Sequence, residues 1–328
     1  MNGENGQDNL PVDLFRLEMV SPAYPPPWTM PPDESRSWRS LLLAVALFCV
    51  TAITTLAAGV QFAAAYAVGR GPALDEFYTD YFKPFHQPHL FLAGVPFACT
   101  LLGILLAHEL GHFFACRHYH IRATYPFFVP APTLIGTLGA FIRIRSPIIN
   151  RRALFDMALA GPLVGFLIAV PALAIAIVHS KVVVAGGADL APTFGQPLVE
   201  RLLEAVLRPG VPHASLLLHP VGRAAWVGLF ATALNLLPAG QLDGGHILCA
   251  LNSVRHRWIS IAVAIALLPL GWFFWMGWFL WAVLLLATGV RHPPLLDGWE
   301  PLDRRRRIWA AVALVIFFLC FMPAPFTV

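Results

Sequence analysis

Residues 105–114 read LLAHELGHFF, placing two histidines and a glutamate within five positions of a stretch otherwise suited to the interior of a bilayer. An ionisable side chain at membrane depth costs about 2.5 kcal/mol or more. On a helix, His108 and His112 lie one turn apart on the same face, where two imidazoles can bind a single zinc ion at about 2.0–2.1 Å. Glu109 falls beside that face, within reach of a water whose pKa a metal lowers toward about 7. H-E-x-x-H is short enough to arise by chance in a soluble sequence. In an uncharged helix, where each of the three residues costs insertion energy, chance is a poor account.

The surroundings of this stretch set the fold class. The chain has 328 residues, of which 58% are hydrophobic and only 12% charged, about half the charge of a soluble domain at about 25%. Residues 40–69, 90–107, 157–178, 224–241, 259–290 and 308–328 contain no Asp, Glu, Lys, Arg or His. About 18 such residues suffice to cross a hydrocarbon core about 30 Å thick. The expectation is an all-α polytopic membrane protein with six to seven transmembrane helices. Residues 1–39 form a Pro-rich tail, expected to be cytoplasmic, disordered and a plain linker. The first apolar run exceeds a signal-peptide core of about 7–15 residues, so no cleaved signal is expected. The net charge of +4 gives no argument for nucleic acid. The five cysteines lack C-x-x-C spacing and read as small buried hydrophobes.

Taken in order, the runs place spans at 41–68, 90–116, 153–178 and 221–250. Between the second and third, residues 123–145 carry prolines and glycines that forbid one straight helix, and TLGAFIRI alternates like a strand. This segment is expected to be hairpin-like and membrane-associated, near the active site. At 259–290 a single helix would measure about 48 Å, too long for a span of modest tilt, and Leu-Pro-Leu-Gly at 268–271 offers a break into two. Arg117, Arg122, Arg143, Arg145, Arg151, Arg152, Arg255, Arg257 and Arg304–Arg307 then share one side, the cytoplasmic one by the positive-inside tendency. The chain would have its N-terminus inside and its C-terminus outside. Residues 40–328 form one membrane-embedded domain with a catalytic core at 90–250.

A hydrolytic zinc requires a third protein ligand and an open position. Among the other uncharged runs, NLLPAGQLDGGHIL (235–248) supplies Asp243 near the end of its span, with Pro238 and Gly240 loosening the helix beside it. His246, three residues on, is the rival ligand, read preferentially as a polar cap. HELGH followed by N-x-x-P-x-x-x-L-D-G on a later helix resembles the site-2 protease family of intramembrane zinc metalloproteases. ALAGPLVGF (158–166) resembles that family's core, GTLGAF (136–141) its hairpin, and the RHPPLLD…PLDRRRR segment the subgroup without a PDZ domain. The resemblance covers most of 90–307. It implies one zinc per chain held by His108, His112 and Asp243, Glu109 as catalytic base, and Asn235 as a stabiliser of the transition state.

The loop between the spans at 153–178 and 221–250 has about 40 residues, too few for a PDZ domain. VERLLEAVLRPG (199–210) reads as an amphipathic interfacial helix with an apolar face of Val199, Leu202, Leu203, Val206 and Leu207. A strand at 137–144 either pairs with an unwound substrate by β-augmentation or is only a turn permitted by Gly136 and Gly139. His118 and His120 follow the HELGH helix at the wrong turn positions and read as interfacial, and the aromatic run GWFFWMGWFLW (271–281) reads as an interface belt.

The function expected is hydrolysis of peptide bonds within transmembrane segments of single-span membrane proteins. The chain would be a multi-pass protein of the cell membrane with its site toward the cytoplasm. Two other classes fit some of the same residues. A zinc or proton transporter would need polar groups spaced through the bilayer, whereas these gather near one face. A catalytically silent adaptor would have no use for a complete base and ligand set.

Overall fold

A chain segment in hydrocarbon must satisfy its own backbone N–H and C=O groups, and a helix does so locally. In the computed structural model, which describes residues 37–71, 77–148, 150–183, 193–212, 215–288 and 300–327, the uncharged runs are helical. The helices are α1 (Trp38–Ala67), α2 (Phe77–His86), α3 (Phe91–His118), α4 (Arg151–His179), α5 (Leu198–Leu207), α6 (Pro220–Asn235), α7 (Asp243–Leu251), α8 (Ser253–Phe273), α9 (Gly277–Thr288) and α10 (Arg304–Cys320). The strands are β1 (Phe127–Pro130), β2 (Thr137–Phe141), β3 (Lys181–Val182), β4 (Thr193–Phe194), β5 (Leu216–Leu217) and β6 (Phe326–Thr327), paired antiparallel as β1–β2, β3–β5 and β4–β6. Among the described residues four helices are long and apolar enough to cross a membrane: α1, α3 with the short turn before it, α4 and α8. α6, α9 and α10, with 16, 12 and 17 residues, are shorter. The protein is an all-α multi-pass membrane protein. Most of the expected tail lies outside the described residues.

Two expected boundaries move. The span at 221–250 is not one helix, because Asn235 ends α6 and Asp243 begins α7. Pro238 and a left-handed Gly240 (φ 57°) stand in the gap. The run at 259–290 does break into two helices, but at residues 274–276, not at 268–271; Pro269 lies inside α8. The helices on either side pack on each other, with Trp278, Ala282 and Leu285 of α9 buried against Leu267. Trp278 is therefore core, its indole N–H donating to the Pro323 carbonyl at 2.7 Å, while Trp272 and Phe273 are exposed.

Small residues let the central helices touch. A Cβ on Gly59 of α1 would stand 2.5 Å from the Gly94 carbonyl of α3, and one on Gly111 of α3 would stand 2.6 Å from the Ala160 carbonyl of α4. Backbone approach of this kind is the usual device of helix association in lipid. A continuous core of Ile104, Leu154, Phe155, Leu173, Ile177 and Leu229 joins α3, α4 and α6. Three of the five cysteines (Cys116, Cys249, Cys320) are buried as expected, but Cys49 and Cys99 are exposed on α1 and α3. An outward cysteine on an apolar helix costs little when the surrounding solvent is itself apolar.

The connection from α4 to α6 packs tightly. Arg208 donates to the Ile177, Val178 and Ser180 carbonyls, satisfying groups that the end of α4 leaves without partners. α5 forms where the amphipathic pattern predicted, yet its faces are not divided as expected. Leu202 and Val206 are exposed, whereas Glu200 and Glu204 point inward, where Arg223 of α6 supplies opposite charge and Gln196 binds Glu204.

The hairpin expected at 123–145 is present. Phe127 pairs with Phe141, Phe128 with Ala140 and Pro130 with Thr137, and Ala123 bridges Ile144. Its tip at Gly136 (φ 80°) rests on α1, where the Thr54 hydroxyl donates to the Gly136 carbonyl at 2.6 Å. The second edge of β2 pairs with no strand among the described residues.

Candidate active site

The HELGH helix brings His108, Glu109 and His112 to the inner face of α3, with His108 and Glu109 buried. α4 crosses this face through ALAGPLVGF. A Cβ on Gly161 would stand 2.2 Å from His112 Nε2, and one on Gly165 would stand 3.2 Å from His108 Nδ1. The two glycines are the floor on which the rings lie. From the same helix the Met157 carbonyl accepts the Nδ1–H of His112 at 2.8 Å, which fixes the tautomer and turns Nε2 inward.

Asp243 arrives from the far side of the α6–α7 gap. Gly240 is held at both ends of its own unit by one face of α8: its N–H donates to Ser260 Oγ at 3.1 Å, and its carbonyl accepts from His256 Nε2 at 3.0 Å. Both partners are buried. Gly244 and Gly245 let α7 fold back on this loop, since a Cβ on either would stand under 2.5 Å from a backbone carbonyl. Asp243 thereby enters at a helix N-terminus, where the macrodipole favours a carboxylate.

The outcome is a convergent donor set. His108 Nε2 and His112 Nε2 lie 3.1 Å apart, and Asp243 Oδ2 lies 3.4 and 3.3 Å from them. Ligands at about 2.0–2.1 Å from a tetrahedral ion are separated by about 3.3 Å, so the spacing, and the pairing of two imidazoles with one carboxylate, fit a zinc ion. Among the described residues this is the group of His, Cys, Asp or Glu able to hold a metal. His246, the rival, is not in it; it lines the cavity of about 230 Å³ that holds the donor set, together with Glu109 and Ile142. Asn235 brings its amide nitrogen to 3.2 Å from His108 Nε2. Glu109 and Ile142, just past β2, line the same cavity.

All five residues expected from sequence therefore meet in one place. Sequence reasoning missed the residues that position them: Met157 acts through a carbonyl, which no side-chain motif announces, and His256 lies between Arg255 and Arg257 outside any motif. A further network at this end of the helices was also missed. Arg306 of α10 grips Asp156 of α4 through two nitrogens at 2.9 and 2.5 Å and reaches the Tyr119 hydroxyl, at the end of α3, at 3.1 Å. It ties the start of α10 to the turn of α4 that carries Met157.

Comparison with known proteins identifies the family. The profile of peptidase family M50 matches residues 96–278, a segment that contains all five residues and the α8 clamp. The chain is 29% identical over 308 residues to the probable zinc metalloprotease EGY1, chloroplastic, of Arabidopsis thaliana, covering 89% of this chain and 54% of that one. It is 31% identical over 264 residues to the probable zinc metalloprotease EGY2, chloroplastic, of Oryza sativa subsp. indica, covering 74% of this chain and 45% of that one. The chain thus spans about half the length of these curated relatives. No solved structure matches it. The profile match extends over more than half of the sequence, and the chain belongs to peptidase family M50, the site-2 protease family.

Proposed function

We propose that this protein is a zinc metalloendopeptidase that hydrolyses peptide bonds within transmembrane segments of single-span membrane proteins, with one zinc held by His108, His112 and Asp243. The observation that carries the reading is the separation of 3.1–3.4 Å among three donor atoms, with a carboxylate and an unpaired strand edge beside them. The names of its relatives support the same chemistry. Bound there, zinc supplies Lewis acidity toward a carbonyl and acidifies a water.

The chain's own residues do the rest. Glu109, beside the donor set in the shared cavity, takes the proton from the attacking water and passes it to the leaving nitrogen. The Asn235 amide donates toward the oxygen on which negative charge develops. A helical substrate hides its carbonyls in i→i−4 hydrogen bonds, so it must be unwound before it is cut. The outer edge of β2, which pairs with no strand among the described residues, offers an extended segment the main-chain partners it loses on unwinding. The basic residues support a cytoplasmic placement in the cell membrane: Arg306 joins the start of α10 to the end of α3 and the start of α4, so these arginine-bearing ends lie together.

The test is Glu109→Gln in reconstituted enzyme. It is expected to keep stoichiometric zinc and lose cleavage of transmembrane substrates. Cleavage that persists with zinc bound refutes the assignment of the base.

A further inference from the structure

A second cavity, of about 290 Å³, adjoins the one that holds the donor set and shares His108, Glu109, Ala140 and Asn235 with it. It lies along the α3 and α6 faces on the N-terminal side of those residues. On α6, Asn235, Ala231 and Gly228 are spaced by four and three and form one stripe, and all three line the cavity. Gly228 brings α6 close to α3, since a Cβ there would stand 2.8 Å from Ile104 Cγ2. Ala231 is the side chain of this stripe that lies between Gly228 and Asn235 in the cavity wall. Leu105, Ile135 and Trp281 are among the other apolar side chains that line it. On the strand wall, Gly139 holds φ 106°, and a Cβ there would meet nothing within 4 Å, so the cavity passes under the edge of β2 unobstructed.

Resting on the proteolytic reading above, we infer that this cavity is the side-chain subsite that selects the substrate residue next to the scissile bond, and that it takes a large apolar side chain. Its size is the first reason, because a dry apolar cavity of about 150 Å³ already accommodates benzene. The chemistry of its walls is the second. Away from the catalytic groups, the hydroxyls that line it are committed elsewhere: Thr232 Oγ1 donates to the Gly228 carbonyl at 2.9 Å, and Thr137 Oγ1 donates to the Val129 carbonyl at 2.9 Å. A carboxylate or amide oxygen entering there would lose its water without gaining a hydroxyl donor, and an ammonium would be moved into a mostly apolar cavity. The third reason is position. A segment paired with β2 lays alternate side chains to either side, and the cavity opens beside the strand at Gly139 and Ala140 while touching Glu109 and Asn235.

The test uses zinc-loaded wild-type enzyme in proteoliposomes and a transmembrane substrate whose cleavage site is mapped by mass spectrometry. The residue on each side of the scissile bond is set in turn to Ala, Leu, Phe and Lys. At one of the two positions Leu and Phe are expected to exceed Ala by at least tenfold in kcat/KM, as a well-fitted apolar pocket discriminates, with Lys uncut. Ala231→Phe narrows the cavity and is expected to reverse the ratio in favour of Ala. Leu105→Ala widens it and is expected to raise cleavage of a Trp substrate relative to Leu, so that the subsite is tested even if one variant folds poorly. Equal ratios in all three zinc-loaded enzymes, or no preference at either position, overturn the subsite while leaving the proteolytic reading intact. A wild-type enzyme that binds zinc and cuts no substrate overturns both.

Discussion

Gly161→Ala adds a single methyl group, and the geometry predicts that this methyl destroys the metal centre while leaving the helices folded. The new Cβ would stand 2.2 Å from His112 Nε2 and 2.5 Å from two ring carbons. Ordinary carbon contacts are about 3.5–4.0 Å, so the ring must retreat by about 1.3 Å. It has little freedom to do so, because its Nδ1–H is fixed on the Met157 carbonyl. A metal site tolerates ligand displacements of about 0.2 Å. Loss of an outer partner alone weakens metal binding about 10- to 100-fold, and displacing the ligand atom itself is expected to exceed the upper end of that range. Gly165→Ala is the control: its Cβ would stand 3.2 Å from His108 Nδ1, a clash that a shift of a few tenths of an ångström relieves, and zinc affinity should fall less than tenfold. Both substitutions favour helix by about 1 kcal/mol, so loss of secondary structure does not confound them. Zinc affinity by chelator competition, read beside thermal unfolding, separates the two variants. Gly161→Ala enzyme that binds zinc within tenfold of wild type would refute the placement of His112 over α4.

Other outcomes follow from residues remote in sequence from the motif. His256→Ala leaves the Gly240 carbonyl buried without its donor, a cost of about 1–3 kcal/mol, and is expected to weaken zinc binding by loosening Asp243; His256→Gln, which retains an N–H donor, should recover part of the affinity in the same chelator assay. Arg306→Lys loses the two-nitrogen grip on Asp156, and thermal unfolding should begin at lower temperature, while Arg304→Lys, tested in parallel, should have little effect. His219 caps α6 as a neutral acceptor for the Val221 N–H, and burial together with His179 holds its pKa below the usual histidine value. Its contribution is therefore present above the unfolded pKa of about 6.5 and is lost as pH falls through the folded value. His219→Asn keeps a capping acceptor without a titrating group, so stability measured between pH 7 and 5 should fall less steeply than in wild type.

The sequence by itself determined the solvent and the beginning of the chemistry. Six uncharged runs in a chain this poor in charge can be stable only in lipid, and three ionisable residues at helical spacing within one of them point to a metal because both the cost and the spacing are local properties. Asp243 was reachable for the same reason, as a lone acid near the end of an apolar run. Its rivalry with His246 was not resolvable locally, because both lie on one short stretch and the choice depends on how the chain turns between Asn235 and Asp243. That turn is set by Ser260 and His256 of α8, which hold the two ends of Gly240. The inward glutamates of α5 were hidden likewise, since an amphipathic pattern cannot foresee a half-buried Arg223 on another helix. Tertiary structure alone laid both imidazoles on Gly161 and Gly165 and opened a cavity under β2. These are distances between segments far apart in the chain, and no periodicity within a segment encodes them.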